Sequence, residues 1–365
     1  MKKYFLAVAS FFIYSHISLG QVYPGQMDST FVPVRSHHYD PELTFDFCVN
    51  EPAWSNQAGI HSAFGSTDRL YFRKEVPVNH DNDLSSSYST TVWRGERANA
   101  QILVWSSEAL EQVRVSTQDL RSAEGNIIPK DRITFELVRY VLSNYPYAEK
   151  KAICGESPYK SGFLMPDRFE TLDRFDLPSQ TTRPVWMMVD VPRGTAPGTY
   201  KGKVEVRAKG KAPQLLNLEI VVQNQLLPYP KDWKYRLDLW QNPWAVAWYN
   251  HVEPWSPEHK MLLKQHLKHY ADAGGTYITT YGVHSPWSDN SYMIEGGMIE
   301  WIKKADGTWA FDYKIFDEYV ELAMECGIDE AITLYTPIPW GFRHRYKDEA
   351  TGDYPYINWA PSSEE

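Results

Sequence analysis

Between Val22 and Pro228 the chain alternates between apolar and polar positions. Tyr200, Val204 and Val206 share one side of an extended run from Thr199 to Arg207, and Lys201, Lys203, Glu205 and Arg207 take the other. Leu216, Leu218, Ile220 and Val222 repeat the period of two. Residues two apart share a face of a strand, so these runs predict strands with one buried face. Val185 to Val191, Ala100 to Trp105 and Val113 to Thr117 add three more, and Pro197-Gly198 marks a turn. Short strands bounded by Gly, Pro and polar turns predict a β-sandwich. Leu227-Pro228-Tyr229-Pro230 breaks the alternation. Proline donates no ladder bond and holds the chain extended, so this segment reads as a linker.

After Trp233 the rhythm becomes strand, helix, strand. Tyr235 to Trp240 predicts a strand. Ser256-Pro257-Glu258 predicts a helix start, with a capping hydroxyl, proline at the first helical position and an acid near the positive end of the dipole. Leu263, Leu267 and Tyr270 follow at helical spacing, and Gly274-Gly275 ends the helix. Thr276 to Val283 is the next strand, and Met298 to Phe311 reads as a hairpin about Asp306-Gly307. Phe316, Val320 and Ala323 stripe a second helix closed by Gly327, and Ala331 to Tyr335 is a third strand. Strands alternating with helices imply a parallel sheet. A complete (β/α)8 barrel takes about 250 residues, so this region is expected to hold the first three or so β/α units of an incomplete TIM-type barrel, or an open α/β domain. The expected fold class is multidomain, β followed by α/β: residues 1–20 a signal peptide, 21–228 an N-terminal β-sandwich and 229–365 a partial (β/α)8 catalytic domain.

The signal peptide rests on Lys2 and Lys3, the apolar stretch from Tyr4 to Tyr14, and Ser18-Leu19-Gly20 before Gln21. The stretch is shorter than the ~20 residues of a membrane span. The mature protein is expected to be exported, periplasmic or extracellular, with no membrane span. The chain carries 37 basic and 46 acidic residues, a net charge of −9. That balance argues against nucleic acid as a partner, because affinity for phosphates rests on Lys and Arg. Aromatic residues reach 15%, with 14 Trp and 24 Tyr; flat rings with polar tips suit a glycan. Cys48, Cys154 and Cys326 form neither a disulfide framework nor a zinc site. They leave open a Cys48–Cys154 bridge or buried free thiols.

In parallel α/β sheets ligands bind at the carboxyl ends of the strands. Gln241, Asn242, Trp244, Trp248 and Tyr249 follow the first strand; His284, Trp287 and Asp289 follow the second; Thr336, Trp340, Arg343, His344 and Arg345 follow the third. From these ends Trp244, Trp248, His284, Trp287, Tyr335, Trp340, Arg343 and Arg345 are the expected substrate-binding residues, since sugar recognition needs aromatic faces beside polar groups. Asp329-Glu330 is an adjacent carboxylate pair, but it precedes the third strand and lies at the wrong end for catalysis. Asp238 lies within the first strand, where a buried structural carboxylate and a catalytic one are both open readings. His37-His38, His344, His266 and His269 lack metal-site spacing, and no metal or cofactor is expected.

Trp93-Arg94-Gly95-Glu96-Arg97, Arg183-Pro184-Val185-Trp186 running on to Val191-Pro192, and Ala196-Pro197-Gly198-Thr199-Tyr200-Lys201-Gly202 resemble the N-terminal sandwich of glycoside hydrolase family 123 and its relatives. Glu300-Trp301-Ile302-Lys303-Lys304 and the run from Ile332 to Trp340 resemble the early barrel of the same group. The resemblance implies a retaining β-N-acetylgalactosaminidase in which the sugar's own 2-acetamido oxygen is the nucleophile. It implies an adjacent Asp-Glu pair at the end of a later strand, the Asp orienting the acetamido group and the Glu acting as acid and then base. On that expectation the pair falls beyond Glu365, the chain is C-terminally truncated, and the fragment alone is inactive. The alternative is a non-catalytic carbohydrate-binding or surface glycan-assembly protein.

Overall fold

The structure, a computed structural model, describes residues 51–77, 84–143, 163–282, 297–335, 338 and 342–359. The signal segment, Cys48 and Cys154 lie outside them. They divide into two compact units that meet in sequence between Leu227 and Pro228.

The first unit holds strands β1 (His61–Gly65), β2 (Ser87–Arg94), β3 (Arg97–Ser106), β4 (Leu110–Thr117), β5 (Leu120–Arg121), β6 (Ile127–Ile128), β7 (Ile133–Ser143), β8 (Phe163–Thr171), β9 (Phe175–Leu177), β10 (Thr181–Asp190), β11 (Gly198–Arg207) and β12 (Gln214–Leu226). One sheet runs β1-β3-β10-β7-β8; the other runs β2-β12-β11-β4-β9, with β5 beside β11 and β6 beside β5. The alternation read along the chain is the core pattern. Tyr200 pairs with Ile220 and Val204 with Leu216, so the apolar sets of β11 and β12 fall opposite each other. All four are buried, in one cluster with Ile102, Val104 and Val189 from the other sheet. Each such side chain contributes about 1.5–3 kcal/mol on burial.

The motifs that carry the family resemblance are clasps of this unit. Gly95 turns between β2 and β3 at φ +86, and its N–H donates to the Val191 carbonyl at 2.9 Å. The Glu96 carboxylate accepts from the Trp93 N–H at 2.7 Å. Arg97 pairs with Asp190 at 2.6 Å. Arg183 is buried, lies over the Tyr140 ring at 4.9 Å and donates to the Val138 carbonyl at 3.0 Å. These residues hold neighbouring strands together.

The second unit contains helices α1 (Pro243–Asn250), α2 (Pro257–Asp272) and α3 (Lys314–Glu325). Its strands are β13 (Tyr277–Tyr281), β14 (Glu300–Lys303), β15 (Trp309–Asp312), β16 (Ala331–Tyr335), β17 (Arg343–Arg345), β18 (Lys347–Asp348) and β19 (Tyr356–Asn358). Ser256 caps α2, accepting the His259 N–H. β13 and β16 pair in parallel, Thr279 opposite Thr333. Ile278 packs with Leu267, Tyr270, Tyr319 and Ala323 in the helix-side core. The Cys326 thiol is free and buried there, and burial pushes its pKa up.

Two expectations need correction. Tyr235 to Trp240 does not form a full strand: it makes a single parallel bridge, Leu237 to Gly275. The Tyr270 hydroxyl occupies the ladder position, 2.7 Å from the Leu237 carbonyl and 2.9 Å from that of Tyr277, and it accepts from the Leu239 N–H at 3.3 Å. The stretch after Trp240 is not a loop but α1. Asn242 Oδ1 accepts the Ala245 N–H at 3.0 Å, with proline next to it, the same cap-then-proline signal as Ser256-Pro257.

His259 joins α1 to α2. Its Nδ1 accepts the Trp255 N–H at 2.8 Å, and its Nε2 lies 2.9 Å from the Pro243 carbonyl. An Nδ1 that accepts carries no proton, so the ring is neutral with its proton on Nε2. Burial lowers its pKa from the ordinary 6.5, and the bond to Pro243 opposes that shift. The unfolded chain therefore takes up a proton more readily than the native state. The contribution of this corner is complete above the ordinary histidine value and drains as pH falls below it toward the lowered folded value. Unfolding midpoints in urea should fall between about pH 7 and pH 5 for the parent, and fall less for His259→Gln. An equal pH slope in both proteins would remove His259 from the account.

Candidate functional site

Parallel register places three rows of side chains on one face of the second unit's sheet. Odd positions of β13 and β16 share this face, and Arg236, Asp238 and Trp240 of the segment before α1 reach the same rows through their side chains. Arg236 lies over Tyr277 at 6.0 Å in the first row. In the second row the Asp238 carboxylate accepts from the Thr279 hydroxyl at 2.9 Å and from that of Thr333 at 3.1 Å. In the third, at the carboxyl ends, Trp240 stands 4.6 Å from Tyr335 and Tyr335 stands 6.3 Å from Tyr281. Trp244 on α1 adds its ring 6.0 Å from Tyr281, and the Tyr281 hydroxyl donates to the Gln241 carbonyl. The strand ends thus carry a run of aromatic rings above a hydroxyl-held carboxylate.

Asp238 is exposed, which corrects the buried reading. No salt bridge to it is formed among the described residues; it is oriented by two neutral donors instead. Trp240 is 51% exposed. Thr279, Thr333 and Trp240 were not singled out in the sequence. The signal for Thr279 and Thr333 is parity, matched positions of two parallel strands.

The predicted residues separate. Tyr335 joins the aromatic row. Trp244 is 4% exposed and is as much a core residue as a wall. Trp248 lies in α1, and His284, Trp287 and Trp340 lie outside the described residues. Arg343 covers the Tyr356 ring at 4.1 Å, and Arg345 covers Tyr354 at 4.2 Å. His344 packs in an aromatic cluster, 5.6 Å from Trp301 and 5.5 Å from Trp359; Trp309 adds itself at 6.1 Å from Trp301. This cluster ties β14, β15 and β17 together. Asp329 and Glu330 stand just before β16, at its amino end. Glu330 accepts from Thr276 at 2.8 Å and from the Tyr277 hydroxyl at 3.3 Å. Among the described residues no three His, Cys, Asp or Glu side chains converge as metal ligands, and no helix is long and apolar enough to cross a membrane.

Two family models match the chain. The glycoside hydrolase 123 catalytic domain matches residues 240–365, and the glycoside hydrolase 123 N-terminal domain matches residues 64–208. Among solved structures, a family 123 glycoside hydrolase from Clostridium perfringens, studied for glycolipid glycan hydrolysis, is 25% identical with a TM-score of 0.72. The match covers 84% of this chain and 53% of that enzyme, so the chain spans about half its length. A PapD-like domain of human CEP192 is 13% identical with a TM-score of 0.20, covering 38% of this chain and 82% of that domain. A Niemann-Pick type C2 protein from the Japanese carpenter ant is 9% identical with a TM-score of 0.22, covering 46% of this chain and 98% of that protein. Neither of these last two carries weight. No protein of curated function matches the sequence.

Proposed function

We propose, for a chain that belongs to glycoside hydrolase family 123, that its protein is an exported, retaining β-N-acetylgalactosaminidase. Family membership supports a hydrolase of glycosidic bonds. The observation that carries the substrate class is the aromatic row at the strand ends: Trp240, half exposed beside Tyr335, offers a flat apolar face over which a sugar ring can stack. Asp238 below it offers an anionic acceptor for a sugar hydroxyl or amide N–H.

In the proposed reaction the 2-acetamido oxygen of the bound sugar attacks the anomeric carbon. The bond to the leaving oxygen breaks as a carboxylic acid gives that oxygen its proton, leaving a cyclic oxazolinium. The same group, now a carboxylate, takes a proton from water, which opens the ring from the face the leaving group vacated and so retains configuration. Asp329 and Glu330 are left out of this scheme because they stand at the amino end of β16. The natural substrate is proposed to be the glycan of a glycolipid, after the Clostridium perfringens relative. The basic, apolar and small-residue segments before Gln21 support export.

The test is a panel of nitrophenyl glycosides given to the whole, exported protein. N-acetyl-β-galactosaminide should be cleaved, with N-acetyl-β-glucosaminide slower, and β-galactoside, which lacks the internal nucleophile, untouched. Equal turnover of the galactoside would end the substrate-assisted reading. Sugar binding without turnover of any member would favour a carbohydrate-binding protein instead. Mass spectrometry of the same preparation should find Gln21 at the N-terminus, and a retained leader would count against export.

A further inference from the structure

Trp244 and Arg345 both line a cavity of about 550 Å³ in the second unit. It opens among segments that follow the carboxyl ends of the three parallel segments: the α1–α2 turn, residues 297–301, and residues 345–347 with Tyr354. That volume lies in the range of small-ligand sites. Acidic and basic side chains line it in equal number, and some pair with each other, Lys260 with Glu318 at 3.3 Å. A wall with balanced charge and aromatic faces suits a polar, uncharged guest. A charged guest would meet a repulsive partner for every attractive one.

One wall residue holds an unusual backbone. Trp255 has φ +64, a left-handed conformation that disfavours bulky side chains and persists only where the surroundings enforce it. Here they do. Its N–H is fixed by buried His259, and its ring meets Trp244 edge-on at 5.6 Å and Tyr319 at 6.0 Å. The indole is thereby set in place before any ligand arrives, which lowers the ordering cost of binding. Across the cavity the Tyr354 hydroxyl donates to Glu300 at 3.0 Å, while Arg345 covers one face of its ring. Tyr354 is itself 40% exposed.

We propose that this cavity binds a neutral saccharide unit, a hexose or an N-acetylated hexosamine, with Trp255 and Tyr354 as its apolar faces and Glu300 and Arg345 as its hydroxyl partners. The inference rests on the reading of the substrate as a glycan, and it adds a second place for the glycan to be held. Ligand-observed NMR titration of the full chain with galactose and with N-acetylgalactosamine tests it, using the parent, Tyr354→Ala and Glu300→Gln. Saturable binding should weaken about fivefold to tenfold in each variant, with thermal unfolding midpoints unchanged. Absence of saturable binding to the parent, or binding of unaltered strength in both variants, overturns it. Hydrolysis by the same parent preparation keeps the two readings apart. Binding that depends on Tyr354 and Glu300 in a protein that cleaves no glycoside retains this site and removes the hydrolase. Cleavage with variant-independent sugar affinity does the reverse.

Discussion

Gly275→Ala is expected to destabilise the second unit by about 2–3 kcal/mol, the cost of forcing a methyl group into a filled space. A Cβ at Gly275 would stand 2.2 Å from Tyr270 Cε2 and 2.3 Å from its Cζ. Real side chains do not approach so closely, so the ring or the backbone must move. Neither moves freely. Tyr270 is buried, and its hydroxyl serves Leu237, Leu239 and Tyr277 where a ladder is missing. The Gly275 backbone bridges to Leu237, and its N–H donates to the Tyr270 carbonyl at 2.9 Å. Moving the ring therefore loosens the segment that carries Asp238 and Trp240. Gly194 is the control: a Cβ there meets nothing within 4 Å, and Gly194→Ala should stay within about 0.5 kcal/mol of the parent. Urea unfolding followed by tryptophan fluorescence measures both. A Gly275→Ala protein as stable as the Gly194→Ala control would show that Tyr270 does not anchor the first parallel segment.

This anchor also marks where sequence reading succeeds and where it stops. The sandwich strands were legible because burial follows the period of two: Tyr200, Val204 and Val206, and Leu216 to Val222, are the residues the two sheets cover. The start of α2 was legible because Ser256-Pro257 encodes its cap locally. Local patterns carry no record of a distant hydroxyl, so nothing in Tyr235 to Trp240 shows that Tyr270 stands in its ladder. The same holds for Trp301, Trp309, His344 and Trp359. Their partners lie up to dozens of residues away and obey no period, so the aromatic content that suits a glycan includes rings that pack the loops. Asn242-Pro243 carries the same local cap-and-proline signal at the start of α1. At the candidate site, the strand-end rule brought out Tyr335 and Trp244, but the second row needed register. Only the pairing of Thr279 with Thr333 shows that Asp238 has two donors facing it.

If the proposed N-acetyl-β-galactosaminidase activity holds, Asp238→Ala is expected to lower kcat/KM of the whole protein on an N-acetyl-β-galactosaminide by roughly thirtyfold, the scale of one lost hydrogen bond to a charged group. The carboxylate is exposed, so its removal leaves no buried cavity, and the unfolding midpoint should hardly change. Thr279 and Thr333 spend their hydroxyls on aiming it. In the open face of the sheet, below Trp240 and Tyr335, an anion aimed this way is ready to accept a hydrogen bond from the sugar without further ordering. Asp238→Asn keeps an acceptor and the shape but loses the charge, and should recover part of the loss. Thr279→Val and Thr333→Val leave the charge but release its orientation, so each should cost less than Asp238→Ala. A merely structural role predicts another order: the threonine variants and Asp238→Ala would share a lowered unfolding midpoint, with kcat/KM unchanged for the protein that remains folded. That result would leave Asp238 as a tie between strands and remove it from the site.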